Sequence, residues 1–281
     1  MLYNVNGFQV SVPRNKSGNS ILSAFDLDGD QVFPDGSEIP VPSGNLNASR
    51  VIRLPDLYET GKGFTCTGLA FDGTYYYIGD IGTLTPNGVY HSQIVVTADF
   101  VTVERTIPLY SIYSGFSVVQ GVAYDASNDS LWCVDASGNR AYNLTKNGVP
   151  ISSFSVSRPT GIACAEDGTL WVLDYSNKIK NTSKTGTVLA SYDFAYSETL
   201  DQCFLDNSRG LLYITAGENY TGRNNVYCFN VNTHEQYIAC TVDSYSVEGI
   251  WLGNGQMIIV NDGYYHSATV PVNQANIYDL T

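Results

Sequence analysis

The sequence predicts an all-β chain folded as a β-propeller, and three observations support that fold class. A phrase made of a polar residue, usually a Gly and then largely apolar residues occurs five times, starting at Thr67, Gln120, Thr160, Asp201 and Glu248. The copies start about 40 to 50 residues apart, a period typical of propeller blades. The 3.6-residue period of an amphipathic helix is absent, and 26 Gly and 21 Tyr suit strands joined by tight turns.

Each copy extends into four candidate strands. In the second copy, Asn147-Gly148 between apolar runs is a strong hairpin signal. The strands predicted there are Gln120–Asp125, Leu131–Asp135, Arg140–Leu144 and Ile151–Val156. The third copy gives Thr160–Cys164, Leu170–Asp174, Lys178–Asn181 and Thr187–Phe194. The fourth gives Cys203–Asp206, Leu211–Thr215, Asn225–Val231 and Gln236–Val242, and the first carries an insertion over residues 81–90.

The fifth copy lacks its outer strand. It offers Gly249–Leu252, Met257–Val260 and Ala275–Tyr278 before the sequence stops at Thr281, and an unpaired sheet edge is a liability. The run Arg50–Leu54, just before the first full copy, can fill the gap. We therefore predict five four-stranded blades, with an N-terminal strand closing the last one.

Residues 1–48 are left over as an N-terminal extension, a strap or an attachment segment, and residues 49–281 form the propeller domain. Within the extension, the run Ile21–Asp26 followed by Gln31–Phe33 is typical of the third and fourth strands of a blade. A sixth, partial blade is therefore an open alternative. Residues 34–47 are rich in Pro, Gly and Ser and predict a loop or strap.

Charge and cysteine usage restrict the function classes. The net charge of −13 with only 14 Lys and Arg argues against a nucleic-acid partner and an anionic membrane surface. No apolar stretch is long enough to span a bilayer, and the N-terminus has no signal-peptide pattern. Four of the six Cys lie in predicted strands and no CxxC occurs, so we expect free thiols in a protein made in a reducing cytoplasm.

Thr160-Gly161-Ile162-Ala163, followed by Gly168 to Asp174, resembles NHL-type propeller repeats. The sequence is also similar to propellers of the SdiA-regulated and gluconolactonase-like groups, over about residues 50–281. This resemblance implies that the repeated phrase is the innermost strand of each blade. It also implies that its first polar residue faces the mouth of the central channel, giving a ring of Thr67, Gln120, Thr160, Asp201 and Glu248.

The same resemblance implies one metal position. In gluconolactonase-like enzymes a Glu before Gly on an inner strand is a metal ligand, and Glu248-Gly249 matches it. Asp201 is the second carboxylate, on a neighbouring blade. Oxygen ligands favour Ca²⁺ or another divalent ion, although the other ligands of the family pattern are not clearly reproduced. The alternative is that the polar ring solvates a water-filled channel.

Two further sets of residues attract attention. Asp80, Asp135, Asp174 and Asp262 end or follow second strands, where an Asp usually binds its own turn backbone. Aromatic residues cluster in the longest loops and suit stacking on sugars; they are Tyr90, His91, Tyr264, Tyr265 and His266, with Tyr76, Tyr110 and Tyr113 as neighbours. The alternative is that each Tyr fills a half-exposed strand position.

The leading functional hypothesis is a non-enzymatic recognition module without a cofactor. No GxSxG or other nucleophile motif is present. We expect a surface polysaccharide or a virion or structural partner as the ligand, as in the receptor-binding component of a phage tail, which would make the protein virion-associated. The alternatives are a metal-dependent hydrolase or lactonase of the gluconolactonase type and a purely structural scaffold.

Overall fold

The computed structural model describes residues 2–5, 8–11, 23–25, 31–32, 41–55, 65–82, 91–216, 222–262 and 273–280, the first four segments as backbone only. The first four strands form a separate antiparallel sheet in chain order. They are β1 (Leu2–Val5), β2 (Phe8–Ser11), β3 (Ser23–Phe25) and β4 (Gln31–Val32). The predicted hairpin at residues 21–33 is therefore confirmed as the pairing of β3 with β4.

Five further sheets form the propeller, and the prediction of five blades is confirmed. Two N-terminal strands, β5 (Gly44–Leu46) and β6 (Arg50–Arg53), join later blades. Blade 1 contains β7 (Cys66–Phe71), β8 (Tyr76–Asp80), β9 (Gln93–Thr97) and β10 (Arg105–Ile107), followed by the helix α1 (Leu109–Ile112). Blade 2 contains β11 (Val119–Asp125), β12 (Ser130–Asp135), β13 (Arg140–Thr145) and β14 (Pro150–Ser155).

Blades 3 to 5 repeat this antiparallel order. Blade 3 contains β15 (Pro159–Cys164), β16 (Thr169–Asp174), β17 (Lys178–Ser183) and β18 (Val188–Asp193). Blade 4 contains β19 (Leu200–Asp206), β20 (Leu211–Ala216), β21 (Asn224–Asn230) and β22 (Gln236–Val242). Blade 5 contains β23 (Val247–Gly253), β24 (Gln256–Asn261) and β25 (Gln274–Asp279).

The N-terminal strand β6 closes blade 5, as predicted. It pairs antiparallel with β25, with Ile52 opposite Ala275. The segment before it also contacts the propeller, because β5 pairs in parallel with β22 and adds a fifth strand to blade 4. Residues 44–46 of the predicted extension therefore belong structurally to the propeller edge.

The packing of neighbouring blades explains why Gly usually follows the first polar residue of the repeated phrase. In every blade the register between the innermost and second strands shifts at this pair, as between Cys66 and Leu69. The Gly lies against the next blade: a Cβ on Gly121 would come 2.8 Å from the Ile162 nitrogen. The ring closes in the same way, since a Cβ on Gly249 would come 2.5 Å from the Leu69 nitrogen. Blades 5 and 1 are thus direct neighbours, with no room for a sixth blade between them.

Blade 4 is the exception, because Gln202 takes the place of the Gly. Its side chain is buried and its amide Nε2 donates to the Thr160 carbonyl of blade 3 at 2.8 Å. The core itself is divided into five clusters, one between each pair of neighbouring blades. The hydrophobic core of the propeller therefore lies at the junctions between its blades.

The remaining structural expectations concern cysteines and helices. All six Cys are free, and five of them are buried, with Cys164 half-buried, as expected for small apolar residues. The helix α1 was not predicted; it is a single turn whose Leu109 is buried. Across the described residues, no helix has the length and apolar character needed to cross a membrane.

Candidate functional site

The predicted ring residues lie where the innermost strands begin, on what we call the start face; the opposite surface is the end face. Four of them, Thr67, Gln120, Thr160 and Glu248, are buried, and Asp201 is half-buried. Thr67 Oγ1 donates to the Val119 carbonyl of blade 2 at 3.2 Å. This contact joins blades, and a ligand role for the ring stays a prediction.

Of the two predicted metal carboxylates, Glu248 is buried and Asp201 is half-buried. Burial raises the pKa of the Cys66 thiol, and the charges of Asp262, Glu248 and Asp80 raise it further, which places these carboxylates around one thiol. However, the described residues contain no group of three His, Cys, Asp or Glu able to hold a metal. They do not supply a complete ligand set, and binding of Ca²⁺ or another divalent ion by Asp201 and Glu248 stays a prediction.

The Asp series at the second strands is structural, as predicted. Asp80 accepts a hydrogen bond from the Gly82 N–H at 3.0 Å, Asp135 from the Gly138 N–H at 2.9 Å and Asp174 from the Ser176 N–H at 2.8 Å. Asp262 accepts from Ser246 Oγ at 2.9 Å. These carboxylates hold the connections on the start face.

The predicted loop aromatics are only partly described. His91 is exposed and stacks on the exposed Tyr110, with ring centroids 4.4 Å apart. Tyr76 and Tyr113 are half-buried and pack against core clusters. Tyr90, Tyr264, Tyr265 and His266 lie outside the described residues, so the predicted loop surface is neither confirmed nor contradicted.

An ion pair joins blades 1 and 2 on the end face, and another joins blades 2 and 3. At the first junction, Lys146 of blade 2 lies 3.0 Å from Asp72 Oδ2, which also accepts from the Tyr77 hydroxyl at 2.8 Å. At the second, Lys184 of blade 3 lies 2.5 Å from Asp125 Oδ2. In each pair the Asp ends the repeated phrase and the Lys opens the turn after the third strand. We call this pair the junction latch.

The latch carboxylates are held in their ionised form. Partial burial of Asp72 opposes ionisation, but hydrogen bonds from the Tyr75 N–H, Tyr77, the Thr74 N–H and Lys146 together lower its pKa to about 2. Burial also opposes ionisation of Asp125, and its contacts with Lys184, Ser127 and Trp132 nevertheless lower its pKa. Each latch is therefore a charged pair at neutral pH.

The latch is missing between blades 3 and 4. Alignment of the repeats places Ala165 where blades 1 and 2 have Asp, and Val231 where blades 2 and 3 have Lys. Both residues line a groove of about 430 Å³. The groove opens at this junction. Among the described residues the Asp–Lys pair is also missing at the junctions of blade 5, where Leu280 stands at the Lys position and Gly253 at the Asp position.

Blade 2 shows how deeply the equivalent residues are buried where the junction latch is present. Trp132 and Asn143 lie opposite each other on neighbouring strands of blade 2 and are buried, with 1% and 2% exposure. The equivalent pair in blade 3, Trp171 and Asn181, lines the groove; Trp171 stays buried with 6% exposure, whereas Asn181 is half-buried. The half-buried Tyr192 also lines the groove. Its ring is stacked with that of Trp171, and the two ring centroids are 6.3 Å apart.

Bonds between blades frame the groove on both sides. On the channel side, Asn207 accepts from the Glu166 N–H at 2.9 Å and donates to the Cys164 carbonyl at 3.2 Å. On the outer side, the Tyr192 hydroxyl and His234 Nε2 are 2.9 Å apart. Polar groups along the walls are Glu166, Asp167, Asn207, Ser208, Arg209 and Asn232. The opening is therefore a framed cleft with an aromatic wall and polar edges.

A second pocket occupies the end-face mouth of the central channel. It measures about 220 Å³ and its walls come from the innermost strands of all five blades. Leu69, Val122 and Ile162 line it together with Phe71 and Trp251. The channel is thus apolar at the end opposite to the predicted polar ring.

Sequence reasoning missed both cavities, although one signal for the groove was visible. The third copy of the phrase ends in Ala165, whereas the first, second and fourth copies end in Asp. The effect of this exchange is visible only in the structure, because it depends on the contact between that Asp and the Lys that follows the third strand of the next blade. The end-face pocket gives no comparable signal, because its residues are ordinary apolar strand residues.

No protein-family model matches the sequence, and neither does any curated protein. Among solved structures, a chain of a nidogen/laminin complex has 15% identity, with 93% of this chain and 84% of that chain covered and a TM-score of 0.49. For a streptogramin B lyase the identity is 13%, the coverage 99% and 97%, and the TM-score 0.45.

The WD40 repeats of RRP9 have 13% identity, with 80% of this chain covered and a TM-score of 0.48. The aligned part is 63% of that chain, less than two thirds of its length. At such identities and scores these similarities transfer no activity. The propeller fold rests on the strand pairing itself, which agrees with the fold-level resemblance predicted from the repeats.

Proposed function

We propose that this chain is a non-enzymatic recognition module that binds a glycan in the groove between blades 3 and 4. The groove itself carries the proposal, because Ala165 and Val231 leave a cleft of about 430 Å³ between blades 3 and 4. A cleft with a mainly apolar wall and a few placed polar groups is typical of small-ligand sites.

The groove chemistry suits a sugar. The half-buried Tyr192 offers an aromatic ring against which the CH groups of a sugar can pack, and Trp171, which is 6% exposed, borders it. Asn181 and Asn232 add amide donors and acceptors for hydroxyl groups, and Glu166 adds an acceptor. Because the protein carries a net charge of −13, we infer that the glycan is neutral rather than anionic.

The missing Asp also changes the hydrogen bonding of the Trp. In blade 2, Trp132 Nε1 donates to Asp125 Oδ2 at 3.2 Å. Ala165, at the equivalent position in blade 3, has no carboxylate to accept from Trp171. We assign this indole N–H as a donor to a sugar hydroxyl.

A glycan array followed by titration with the best-bound sugar tests the proposal. Ala165→Asp combined with Val231→Lys restores the latch and fills the groove. We expect at least a tenfold loss of affinity with no fall in melting temperature. The matched control is the reverse exchange, Asp125→Ala with Lys184→Val, which changes the neighbouring junction and leaves the affinity of the groove between blades 3 and 4 unaltered; any binding at the altered junction appears as a second site.

Two results would count against the groove. Unchanged affinity in the latch-restoring variant would exclude it as the glycan site. Loss of binding in a Tyr264→Ala, Tyr265→Ala variant, with the groove variant unaffected, would assign recognition to the loop aromatics instead.

The finer proposal is that the module belongs to a phage tail and engages a surface glycan of the host. A recognition groove without a nucleophile motif supports it. Tail genes beside its gene, and the protein detected in purified virions, are the expected findings. The alternative of a gluconolactonase-like hydrolase predicts one divalent metal per chain after dialysis, lost in Glu248→Gln; elemental analysis separates the two functions.

A further inference from the structure

The groove and the channel pocket adjoin each other. Leu205 and Asn207 line both of them, at the point where β19 ends on the end face. Asn207, which is hydrogen-bonded to blade 3, stands between the two cavities, so a ligand in the groove reaches the mouth of the channel by passing over this side chain. The two cavities differ in character, since polar side chains edge the groove while strand residues of all five blades form the pocket.

The pocket exists because three of five equivalent side chains are small. Blades 1 to 3 carry Ala70, Ala123 and Ala163 where blades 4 and 5 carry Phe204 and Trp251, and all five residues line the pocket. The volume of about 220 Å³ is sufficient for a short alkyl or acyl chain, since apolar cavities of about 150 Å³ already bind benzene.

The polar atoms around the pocket have protein partners or are neutral. The Tyr124 hydroxyl donates to Asp129 at 2.8 Å, and the Asn207 amide donates to the Cys164 carbonyl at 3.2 Å. Burial raises the pKa of the Cys164 and Cys203 thiols, which line the pocket. They are neutral at pH 7 and behave as apolar lining.

We propose that the channel pocket binds an apolar substituent of the glycan, so that the ligand is an amphiphilic sugar carrying an alkyl or acyl chain. The sugar half of this inference rests on the proposed function, whereas the pocket half does not. Burial of each methylene should raise affinity about fourfold until the pocket is full.

Tryptophan fluorescence tests the pocket by itself. A brominated chain quenches an indole that it touches, and Trp251 lines the pocket whereas Trp171 lines the groove. We expect 6-bromohexan-1-ol to quench saturably, with quenching retained in Trp171→Phe and lost in both Trp251→Phe and the pocket-filling variant Ala163→Phe. Ala123→Phe is the second filling variant if the first does not fold. Non-saturable quenching, or saturable quenching unchanged by filling, would overturn the pocket.

Alkyl glycosides of the sugar selected on the array then connect the two cavities. We expect affinity to rise from methyl to hexyl glycoside in the natural protein, and chain-length dependence to vanish in the filled variant while methyl glycoside still binds. If methyl glycoside binds without any gain from the chain, the pocket inference is wrong and glycan recognition stands. If bromohexanol binds the pocket but no glycoside binds the groove, the proposed function is wrong and the pocket stands.

Discussion

At the scale of single residues, the gap between neighbouring innermost strands restricts which side chain can follow the first polar residue. A Cβ on Gly249 would lie 2.5 Å from the Leu69 nitrogen. Gly249→Ala should therefore destabilise the protein by about 1 to 3 kcal/mol through overpacking, measured as a lower urea midpoint. Ser152→Ala, on the exposed strand β14, is the control and should stay within about 0.5 kcal/mol. Equal midpoints for the two variants would contradict this account.

Asp72 links stability to acid pH. Its folded pKa of about 2 lies below the ordinary 3.8, so its contribution is complete above about pH 4 and is lost as the pH falls towards 2. Asp72→Asn should cost about 1 to 2 kcal/mol at pH 7 and little at pH 2, as measured by urea unfolding at both pH values. Asp193→Asn, which removes an exposed pair with Lys178, should cost about 0.5 kcal/mol or less. A cost for Asp72→Asn that does not change with pH would show that its charge is unimportant.

At the scale of elements, the two N-terminal strands of the propeller contribute differently to its stability. β6 completes blade 5, whereas β5 adds an extra parallel strand to an already complete blade 4. A chain that starts at Asn47 should fold with a modest loss of stability, because every blade keeps four strands. A chain that starts at Pro55 leaves β25 unpaired and should aggregate or melt without cooperativity. Circular dichroism melting and gel filtration compare them, and similar melting would show that closure by β6 is dispensable.

The same two strands show how far sequence reasoning reaches. β6 was predictable because the last repeat lacks a fourth strand, and the run Arg50–Leu54 stands just before the first repeat with no other partner assigned to it. β5 was not, because Gly44–Leu46 is too short to show a pattern and its partner β22 is about 195 residues away. The helix α1 was not predicted for a similar reason: a single turn is too short to show a helical period, and the burial of its Leu109 is visible only in the structure. The strands of blades 2 to 4 were predicted close to their observed positions, because three aligned copies of one pattern indicate the same strand boundaries.

At the scale of the whole molecule, sequence reasoning located the innermost strands but not the cavities. The predicted ring and His91 lie on the start face, whereas the groove and the channel pocket open on the end face. The inference favoured polar residues of the repeated phrase, yet four of the five are buried at the junctions between blades. The groove becomes visible only when blades 3 and 4 are placed side by side in space, because its walls come from both of them.

Uneven latching also predicts where the propeller opens first. The latches Asp72–Lys146 and Asp125–Lys184 hold blade 2 to both of its neighbours. Blade 4 has no such pair on either side, because Ala165 and Val231 stand at its junction with blade 3 and Leu280 stands in place of the Lys at its junction with blade 5. Local opening should therefore involve blade 4 before blade 2, with faster amide exchange in β19 than in β11. Restoring the latch with Ala165→Asp and Val231→Lys should add about 1 kcal/mol and slow exchange in β19 about fivefold. Removing the latch with Asp125→Ala and Lys184→Val should speed exchange in β11 and β15. Hydrogen exchange with mass spectrometry measures each strand, and protection that is uniform and unaffected by these variants would mean that the ion pairs do not govern opening.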